Sequence, residues 1–411
     1  MKIIDSSNER ATQRLVERAN AADDDIERQV SRIVGGVRRR GDRALKEYAR
    51  RYDGVDGPIE VTSRELKEGA RATPPAVRRA IAQSARHIRR VAEKQLPRGW
   101  RTSVVPGVVV EQRVTPLDAV GCYVPGGRYP LPSSLLMTAI PARVAGVKTV
   151  IAVCPRPEPS VLAAAIEARV SRLFRVGGAH AVAALAYGTT SIPKVDKIVG
   201  PGNAYVAAAK TLVSGDCPID FKAGPTEIVI VARRGNPDWI AADLVAQAEH
   251  DPDARSVLIT PSRRLALDVV KAVQARLDAC EAARPSIRRH GTVVVTANVE
   301  EAIALSNRIA PEHAVCETEA VARRLTHAGT VFVGPYAAQA AGDYATGSNH
   351  VLPTSGAARF RGGLSASDFV RVTSVQRLSR PGLRRIAPTV ISLANAEGLI
   401  AHAASVATRV E

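Results

Sequence analysis

The spacing of apolar residues divides the chain into a helical beginning, a long mixed region and a helical end. From about residue 8 to 95, apolar positions recur at intervals of three and four, which predicts amphipathic helices. From about residue 105, short β-branched runs alternate with alanine-rich segments of helical spacing; examples are VVPGVVVEQRV, VKTVIAVCP and TEIVIVA. This alternation is typical of an α/β fold with mainly parallel sheets. From about residue 385 the spacing again predicts one or two helices.

Composition restricts the class of protein. The chain has 411 residues, 45% of them hydrophobic and 24% charged, which suits about two to four globular domains with a large core. No apolar run approaches the roughly 20 residues of a membrane helix, and the N-terminus lacks the apolar stretch of a signal peptide. The cysteines are five, without a CxxC pair: Cys122, Cys154, Cys217, Cys280 and Cys316. This argues against a disulfide framework and a thiolate zinc site, and favours the cytoplasm.

A net charge of +17 raises the question of nucleic-acid binding, because clustered Lys and Arg attract phosphate. The arginines are scattered as pairs along helical segments, and several acidic residues lie among those of the first helices. Aromatic residues make up only 4% of the chain, and no nucleic-acid-binding motif is present. We therefore expect neither a nucleic-acid partner nor a membrane partner.

Three glycine-rich turns each stand between a predicted strand and a predicted helix, at 121–134, 176–188 and 199–210. Such turns bring backbone N–H groups and a helix N-terminus close to a phosphate or another anion. None matches the full GxGxxG pattern, and glycine also serves tight turns that bind nothing. Each turn alone leaves both interpretations open, whereas three of them within 90 residues favour a nucleotide-binding lobe.

Two neighbouring pairs carry side chains suited to metal binding or proton transfer. Gln247 and His250 are three residues apart on a predicted helix, so they share a face with Cβ atoms about 5–6 Å apart, a spacing that suits two ligands of one ion. Glu312 and His313 are adjacent after a proline, and offer two bases of different strength. Taken alone, the first pattern is weak, and the second also fits a charged pair at a helix end.

Two further pairs occur towards the C-terminus. Asp343 and His350 lie in a segment of small and polar residues, of the kind that holds functional groups on a scaffold. Glu397 and His402 are five apart on the last predicted helices, about 140° around a helix, which makes a shared ion unfavourable. His402 also fits a buried core histidine among Ala and Leu.

These motifs, taken together and in order, closely resemble the histidinol dehydrogenase family over nearly the whole chain. The segments that carry the resemblance are RGDRALKEYARRYDGV, GCYVPGGRYPLPSSLLMTAIPARVAGV, DKIVGPGNAYVAAAK, IDFKAGPTEIVIVA, DLVAQAEHDPDA, APEHAV, GDYATGSNHVLPTSGAARF and EGLIAHA. The resemblance implies an NAD-dependent, zinc-dependent oxidation of an amino alcohol through an aldehyde to the acid.

The resemblance also implies roles for individual residues. One zinc ion per subunit would be held by Gln247, His250, Asp343 and His402, which with His313 also contact substrate. Glu312 and His313 would act as acid–base residues. The further substrate contacts would be Thr226, His350 and Glu397, and the NAD contacts would be Tyr123, His180 and Asn203.

At the level of architecture, the resemblance implies an intertwined homodimer in which the C-terminal helix completes the partner's site. We expect two incomplete Rossmann-like parallel-sheet domains with helical N- and C-terminal segments. The predicted division is an N-terminal helical arm at 1–16, a first α/β domain with the metal and catalytic motifs at 17–122 and 228–365, a second, NAD-binding α/β domain at 123–227, and a helical dimerisation segment at 366–411.

The chain departs from the family's pattern at two places. His180 stands where the family usually has a glutamine that contacts NAD, and Arg128 is introduced in the GGRYPL segment. Arginine is well suited to bind an anion, so a related enzyme acting on another alcohol, such as a sulfonated propanediol, is the alternative. The retained Pro132–Ser134, SASDF and EGLIAHA segments favour histidinol.

Overall fold

Two parallel sheets with helices packed on them form most of the molecule. The computed structural model describes residues 1–17, 24–126, 130–222 and 224–411. The strands are β1 (Lys2–Asp5), β2 (Trp100–Val105), β3 (Val108–Pro116), β4 (Ala119–Tyr123), β5 (Thr149–Val153), β6 (Arg172–Phe174), β7 (Lys197–Val199), β8 (Glu227–Val231), β9 (Arg255–Thr260), β10 (Thr292–Val295), β11 (His313–Cys316), β12 (Thr330–Val333) and β13 (Val370–Leu378).

Helices join most of these strands. They are α1 (Glu9–Val16), α2 (Asp24–Arg40), α3 (Asp42–Tyr48), α4 (Ser63–Ala72), α5 (Pro75–Ala92), α6 (Pro132–Val144), α7 (Pro159–Glu167), α8 (Gly178–Tyr187), α9 (Ala204–Val213), α10 (Pro237–Ala248), α11 (Arg263–Leu277), α12 (Arg284–His290), α13 (Val299–Ile309), α14 (Glu319–Ala322), α15 (Gln339–Tyr344), α16 (Arg380–Ala396) and α17 (Ile400–Val410). A π-helical turn, Ala49–Asp53, follows α3. In the described part of the chain, no helix is long and apolar enough to cross a membrane.

The larger sheet has six parallel strands in the order β1-β10-β9-β8-β11-β12. Its central strands are almost continuously apolar, because apolar side chains pack on both of their faces in two separate core clusters. The chain runs outward from β8 through β9 to β10, and then returns to the other side of β8 with β11. The strand order therefore reverses between β8 and β11.

The smaller parallel sheet has the order β6-β5-β4-β7, and its strand order reverses between β4 and β7. Its helices are rich in alanine because they are enclosed. Every residue of α8 from Ala179 to Ala186 is buried, since α2 and α9 pack against it. The predicted α/β fold with mainly parallel sheets is confirmed by these two sheets, and the proposed domain boundaries stay a prediction.

The structure corrects the expectation that the terminal segments are wholly helical. Lys2–Asp5 is a strand that pairs in parallel with β10, and Val370–Leu378 pairs antiparallel with β3. The run KIID is too short to show a periodicity, and its pairing depends on a strand almost three hundred residues away. Likewise β2, β3 and β13 form a separate antiparallel sheet rather than part of a parallel one.

Candidate active site

The predicted catalytic residues lie where β8 and β11 begin. These strands are parallel neighbours with His313 opposite Ile228, so Glu312 stands beside the start of β8. The last turn of α10 brings Gln247 to the same edge of the sheet. Glu312, His313 and Gln247 are all buried. The sequence therefore folds two distant segments into one enclosed polar cluster.

Glu312 is held by a short chain of hydrogen bonds. Its Oε2 accepts from the hydroxyl of Thr226 and from the backbone N–H of Glu227, the latter at 3.0 Å. The Thr226 hydroxyl in turn accepts from Nε2 of Gln247 at 2.5 Å. Burial raises the pKa of Glu312 to about 8, although the bonds from Thr226 and Glu227 oppose the rise. Glu312 is consequently a weak acid whose carboxylate form becomes dominant only above neutral pH.

His313 has surroundings that make one ring nitrogen a donor and the other an acceptor. Nδ1 lies 3.3 Å from the carbonyl oxygen of Glu227, which only an N–H can satisfy. Nε2 lies 3.3 Å from the side-chain amide nitrogen of Gln339, which donates to it. Burial lowers the pKa of His313 to about 4, while Asp343 opposes the decrease. At neutral pH the ring is therefore uncharged, with a lone pair on Nε2.

Helix α15 contributes the acid on the other side of His313. Asp343 lies 4.0 Å from Nε2 of His313, and its Oδ2 accepts from Gln339 Nε2 at 2.8 Å. The backbone carbonyl of Asp343 accepts from Nδ1 of His350 at 3.0 Å, and Ser134 on α6 lies 3.4 Å from the other ring nitrogen. Burial lowers the pKa of His350 as well. The cluster thus joins helices that pack on the two parallel sheets.

Gln339 is a member of this cluster that sequence reasoning missed. It is 1% exposed, and its amide nitrogen contacts both Asp343 and His313. Gln339 and Asp343 are four residues apart, a spacing that places them on one face of a helix. This spacing could have identified Gln339 from the sequence, by the same argument that identified the pair Gln247 and His250.

The predicted metal ligands are brought together only in part. Gln247 Oε1 is buried and has no hydrogen-bond partner, whereas His250 is exposed at the end of α10. His402 and Glu397 are exposed near the C-terminus, and no hydrogen bond or ion pair within the described residues joins them to the cluster. Nor do those residues contain three His, Cys, Asp or Glu side chains grouped closely enough to hold a metal ion.

The donor set is nevertheless suited to a metal. A buried amide oxygen without a partner is energetically costly, and a cation would satisfy it. Asp343 adds a buried carboxylate to the same cluster, and a positive charge on His250 would lower the pKa of His313 and of His350. Oxygen and imidazole ligands without thiolates suit a zinc site that leaves room for substrate.

The predicted cofactor residues lie at the carboxyl edge of the smaller sheet. Tyr123 ends β4, and Asn203 caps α9 just after β7, so the two flank the reversal of strand order. Ligands of open α/β sheets bind at such a reversal. The Tyr123 hydroxyl accepts from the N–H of Gly178 at 3.0 Å. Burial raises the pKa of Tyr123, which keeps its hydroxyl hydrogen available for donation.

His180 faces the protein interior rather than an open edge. Its ring is buried, and Nε2 lies 2.8 Å from Oδ2 of Asp53, which also accepts from the N–H of Gly177 at 2.9 Å. The rings of Tyr48 and Tyr52 lie about 6 Å from it. Its expected contact with NAD stays a prediction. Arg128 lies outside the described residues.

A buried ion pair supports the turn after β7. Lys210 and Asp220 contact each other, Lys210 Nζ donates to the carbonyl of Gly200 at 2.8 Å, and Asp220 accepts from the Gly200 N–H at 2.7 Å. Gly200 has φ +116°, and a Cβ there would lie 2.2 Å from the carbonyl oxygen of Tyr123. Only glycine therefore lets the two cofactor-side segments approach each other.

Comparison with known proteins gives a consistent result. The family model described as histidinol dehydrogenase matches residues 16–410. A histidinol dehydrogenase from Methanothermobacter thermautotrophicus is 46% identical over 418 residues, covering 98% of both chains, and one from Caulobacter vibrioides is 49% identical over 397 residues, covering 94% of this chain and 92% of the relative. The crystal structure of histidinol dehydrogenase from Elizabethkingia anophelis superposes with a TM-score of 0.95 at 31% identity, covering 100% of this chain and 98% of that one.

Proposed function

Because the chain belongs to the histidinol dehydrogenase family, we propose that it oxidises L-histidinol through L-histidinal to L-histidine, with NAD⁺ as electron acceptor. The observation that carries this proposal is the adjacent buried pair Glu312 and His313. Burial shifts the pKa of the carboxyl upward and that of the imidazole downward. Two bases that differ in this way suit a reaction with two separate proton removals. The alternative, a sulfonated propanediol, has no comparable support.

Zinc and NAD fit the residues that are present. We propose that Gln247, His250 and Asp343 hold the ion together with His402 of a second copy, and that the orphaned Gln247 oxygen is the clearest sign of the site. Tyr123, His180 and Asn203 would contact the cofactor, and His180 also contacts Asp53, which accepts from the backbone at the turn that begins α8. When bound, zinc supplies a Lewis acid for the reacting oxygen and NAD⁺ accepts the hydride.

His313 is the base of the first oxidation in this proposal. The hydrogen bond from Nδ1 to the backbone of Glu227 places the lone pair of the ring on Nε2. The Gln339 amide donates to this nitrogen at 3.3 Å, so the alcohol would take the place of that donor before it passes its proton to Nε2. The carboxylate of Asp343 lies 4.0 Å from the same nitrogen, so it would stabilise the ring when Nε2 gains a proton. Burial lowers the pKa of the ring to about 4, so it is unprotonated at neutral pH and available as a base.

Glu312 is the base of the second oxidation. In its carboxylate form it takes a proton from the water that adds to the aldehyde. Thr226 connects it to Gln247, so the base is fixed relative to a proposed metal ligand. Thr226, His350 and Glu397 would complete the contacts to the amino alcohol.

The rate of L-histidinal oxidation is expected to increase as the pH rises towards and through about 8, because Glu312 must lose its proton to act as a base. Glu312→Gln should remove this limb of the pH profile and slow aldehyde oxidation about 10²–10³-fold more than the first oxidation. Both steps can be followed as NADH formation in single turnovers from each substrate. Equal losses in the two steps would contradict the division of roles.

We propose a homodimer with shared active sites, supported by apolar side chains that are exposed beside Glu397 and His402. Leu393 is 60% exposed, Leu399 42% and Ile400 76%. Large apolar side chains gathered on an exposed surface mark an interaction site. A second copy covering this surface would bring its own Glu397 and His402 to the cluster. The buried or partly buried free cysteines suit a cytoplasmic enzyme.

Mixed dimers test the shared site. His402→Ala and His313→Ala proteins should each be inactive, but a randomly assembled mixture should recover about one quarter of the normal activity, because half of the dimers contain one intact site. Activity after co-expression is the measurement. A mixture as inactive as its parents would mean that His402 serves its own subunit.

The substrate assignment is tested by product analysis. With L-histidinol and NAD⁺ we expect L-histidine to form, and with a sulfonated propanediol we expect no NADH above background. Turnover of the sulfonated diol in place of L-histidinol would overturn the assignment.

A further inference from the structure

A cavity lies at the opposite edge of the six-stranded sheet from Glu312 and His313. It has a volume of about 410 Å³ and is bordered by the residues where β8 and β11 end. These are the two strands between which the strand order reverses. Crevices at such reversals bind ligands in open α/β sheets, and this volume lies in the range of small-molecule sites.

The interior of the cavity combines apolar walls with one carboxylate. Ile230, Ile240 and Val315 line the walls, and Asp243 on α10 lies among them. Burial raises the pKa of Asp243 to about 6, although the nearby backbone N–H of Gln339 opposes the rise. At neutral pH the carboxylate is therefore mostly ionised, although it is partly buried. Such an anion is stabilised by a cation placed beside it.

Aromatic rings stand at the mouth. The indole of Trp239 lines the cavity and is 48% exposed, and the ring of Tyr336 lies 5.9 Å from it with an interplanar angle of 44°. The faces of Trp and Tyr attract cations and stack with other rings. The mouth is thus suited to a flat organic group.

The polar groups around the cavity disfavour an anion. Glu317 lines the rim, and its carboxylate accepts the backbone N–H of Arg234 at 3.1 Å. The Asn236 side chain accepts the N–H of Asp238 at 2.9 Å. These carboxylate and amide oxygens therefore already accept the backbone N–H groups that would otherwise bind a phosphate at this end of α10. Arg234 is the remaining charged residue of the lining and is exposed.

We propose that this cavity binds a small organic cation with an aromatic body, of the arylalkylammonium class, with its ammonium group beside Asp243 and its ring against Trp239. The site is separate from the catalytic cluster and does not depend on the proposed reaction. Pro335 and Ala337, just before α15, line this cavity, while a side chain of that helix, Gln339, contacts His313.

The chain allows a direct binding test because it has two tryptophans, Trp100 and Trp239. In a Trp100→Phe protein, all indole fluorescence comes from Trp239. We expect 2-phenylethylammonium to change this emission with saturation. The neutral 2-phenylethanol and the anionic 3-phenylpropionate should bind at least about tenfold more weakly. This comparison uses one protein, so it does not depend on the folding of a cavity variant.

Asp243→Asn in the same background should weaken binding of 2-phenylethylammonium by about tenfold or more. Asp238→Asn is the matched control, since Asp238 is exposed on the same helix outside the cavity lining, and it should leave binding unchanged. Binding of the cation at the catalytic cluster would not respond to Asp243→Asn. No saturable response, equal loss in both variants, or preference for the anion would overturn the proposal.

Discussion

Asp343→Ala is expected to lose zinc and oxidation of L-histidinol together. Asp343 supplies the buried carboxylate of the cluster, and removal of it leaves the Gln247 oxygen and the neighbouring histidines with no anionic ligand to balance a divalent cation. Zinc content per subunit after dialysis, measured alongside the rate of NADH formation, checks the prediction. Asp238→Ala serves as the control because Asp238 is exposed at the far end of α10.

Gln339→Ala is expected to weaken zinc binding without abolishing it. It keeps every proposed ligand but removes the hydrogen bond that orients Asp343. Loss of such a supporting bond typically lowers metal affinity about 10–100-fold, so zinc should dissociate at lower chelator concentrations than from the unmodified protein. Zinc retained in full by the Asp343→Ala protein would remove Asp343 from the ligand set.

His313→Ala is expected to reduce turnover of L-histidinol by about 10²–10⁴-fold while zinc remains bound. The reason is the position of Nε2, which carries the lone pair of an uncharged, buried ring, whereas the zinc ligands proposed here do not include His313. The rate and the zinc content must be measured on the same preparation. A loss of rate with zinc retained would show that His313 acts as a base and not as a zinc ligand.

His327→Ala is the matched control for this variant, because His327 follows α14 and its ring contacts only the neighbouring Thr326 among the hydrogen bonds of the described residues. It should retain near-normal turnover. A near-normal rate in the His313→Ala protein would exclude His313 as the base of the first oxidation.

The sequence predicts the α/β architecture well for a physical reason. Strands buried on both faces need uninterrupted apolar runs, and β5 and β8 show them directly. The first strand, Lys2–Asp5, was not predicted because four residues carry no period and its partner β10 is distant in sequence. The antiparallel sheet was not predicted, because β2 and β3 share the β-branched composition of the parallel strands.

The site was predictable only as a set of separate motifs. Adjacent Glu312 and His313 precede a strand, and nothing in their local spacing indicates that Thr226 and Glu227 contact them. That contact arises from the pairing of β8 with β11. The buried pair His180 and Asp53 is separated by 127 residues, so its formation follows from the packing of α8 against the π-helical turn. Contacts made by tertiary packing are absent from any local pattern.

The most direct test of the central proposal is the number of NADH molecules formed for each L-histidinol consumed. We expect two, with L-histidine as the product, and we expect a chelator to abolish the reaction and zinc to restore it. A single NADH with accumulation of L-histidinal, or no turnover by protein that still binds zinc, would contradict the proposed reaction.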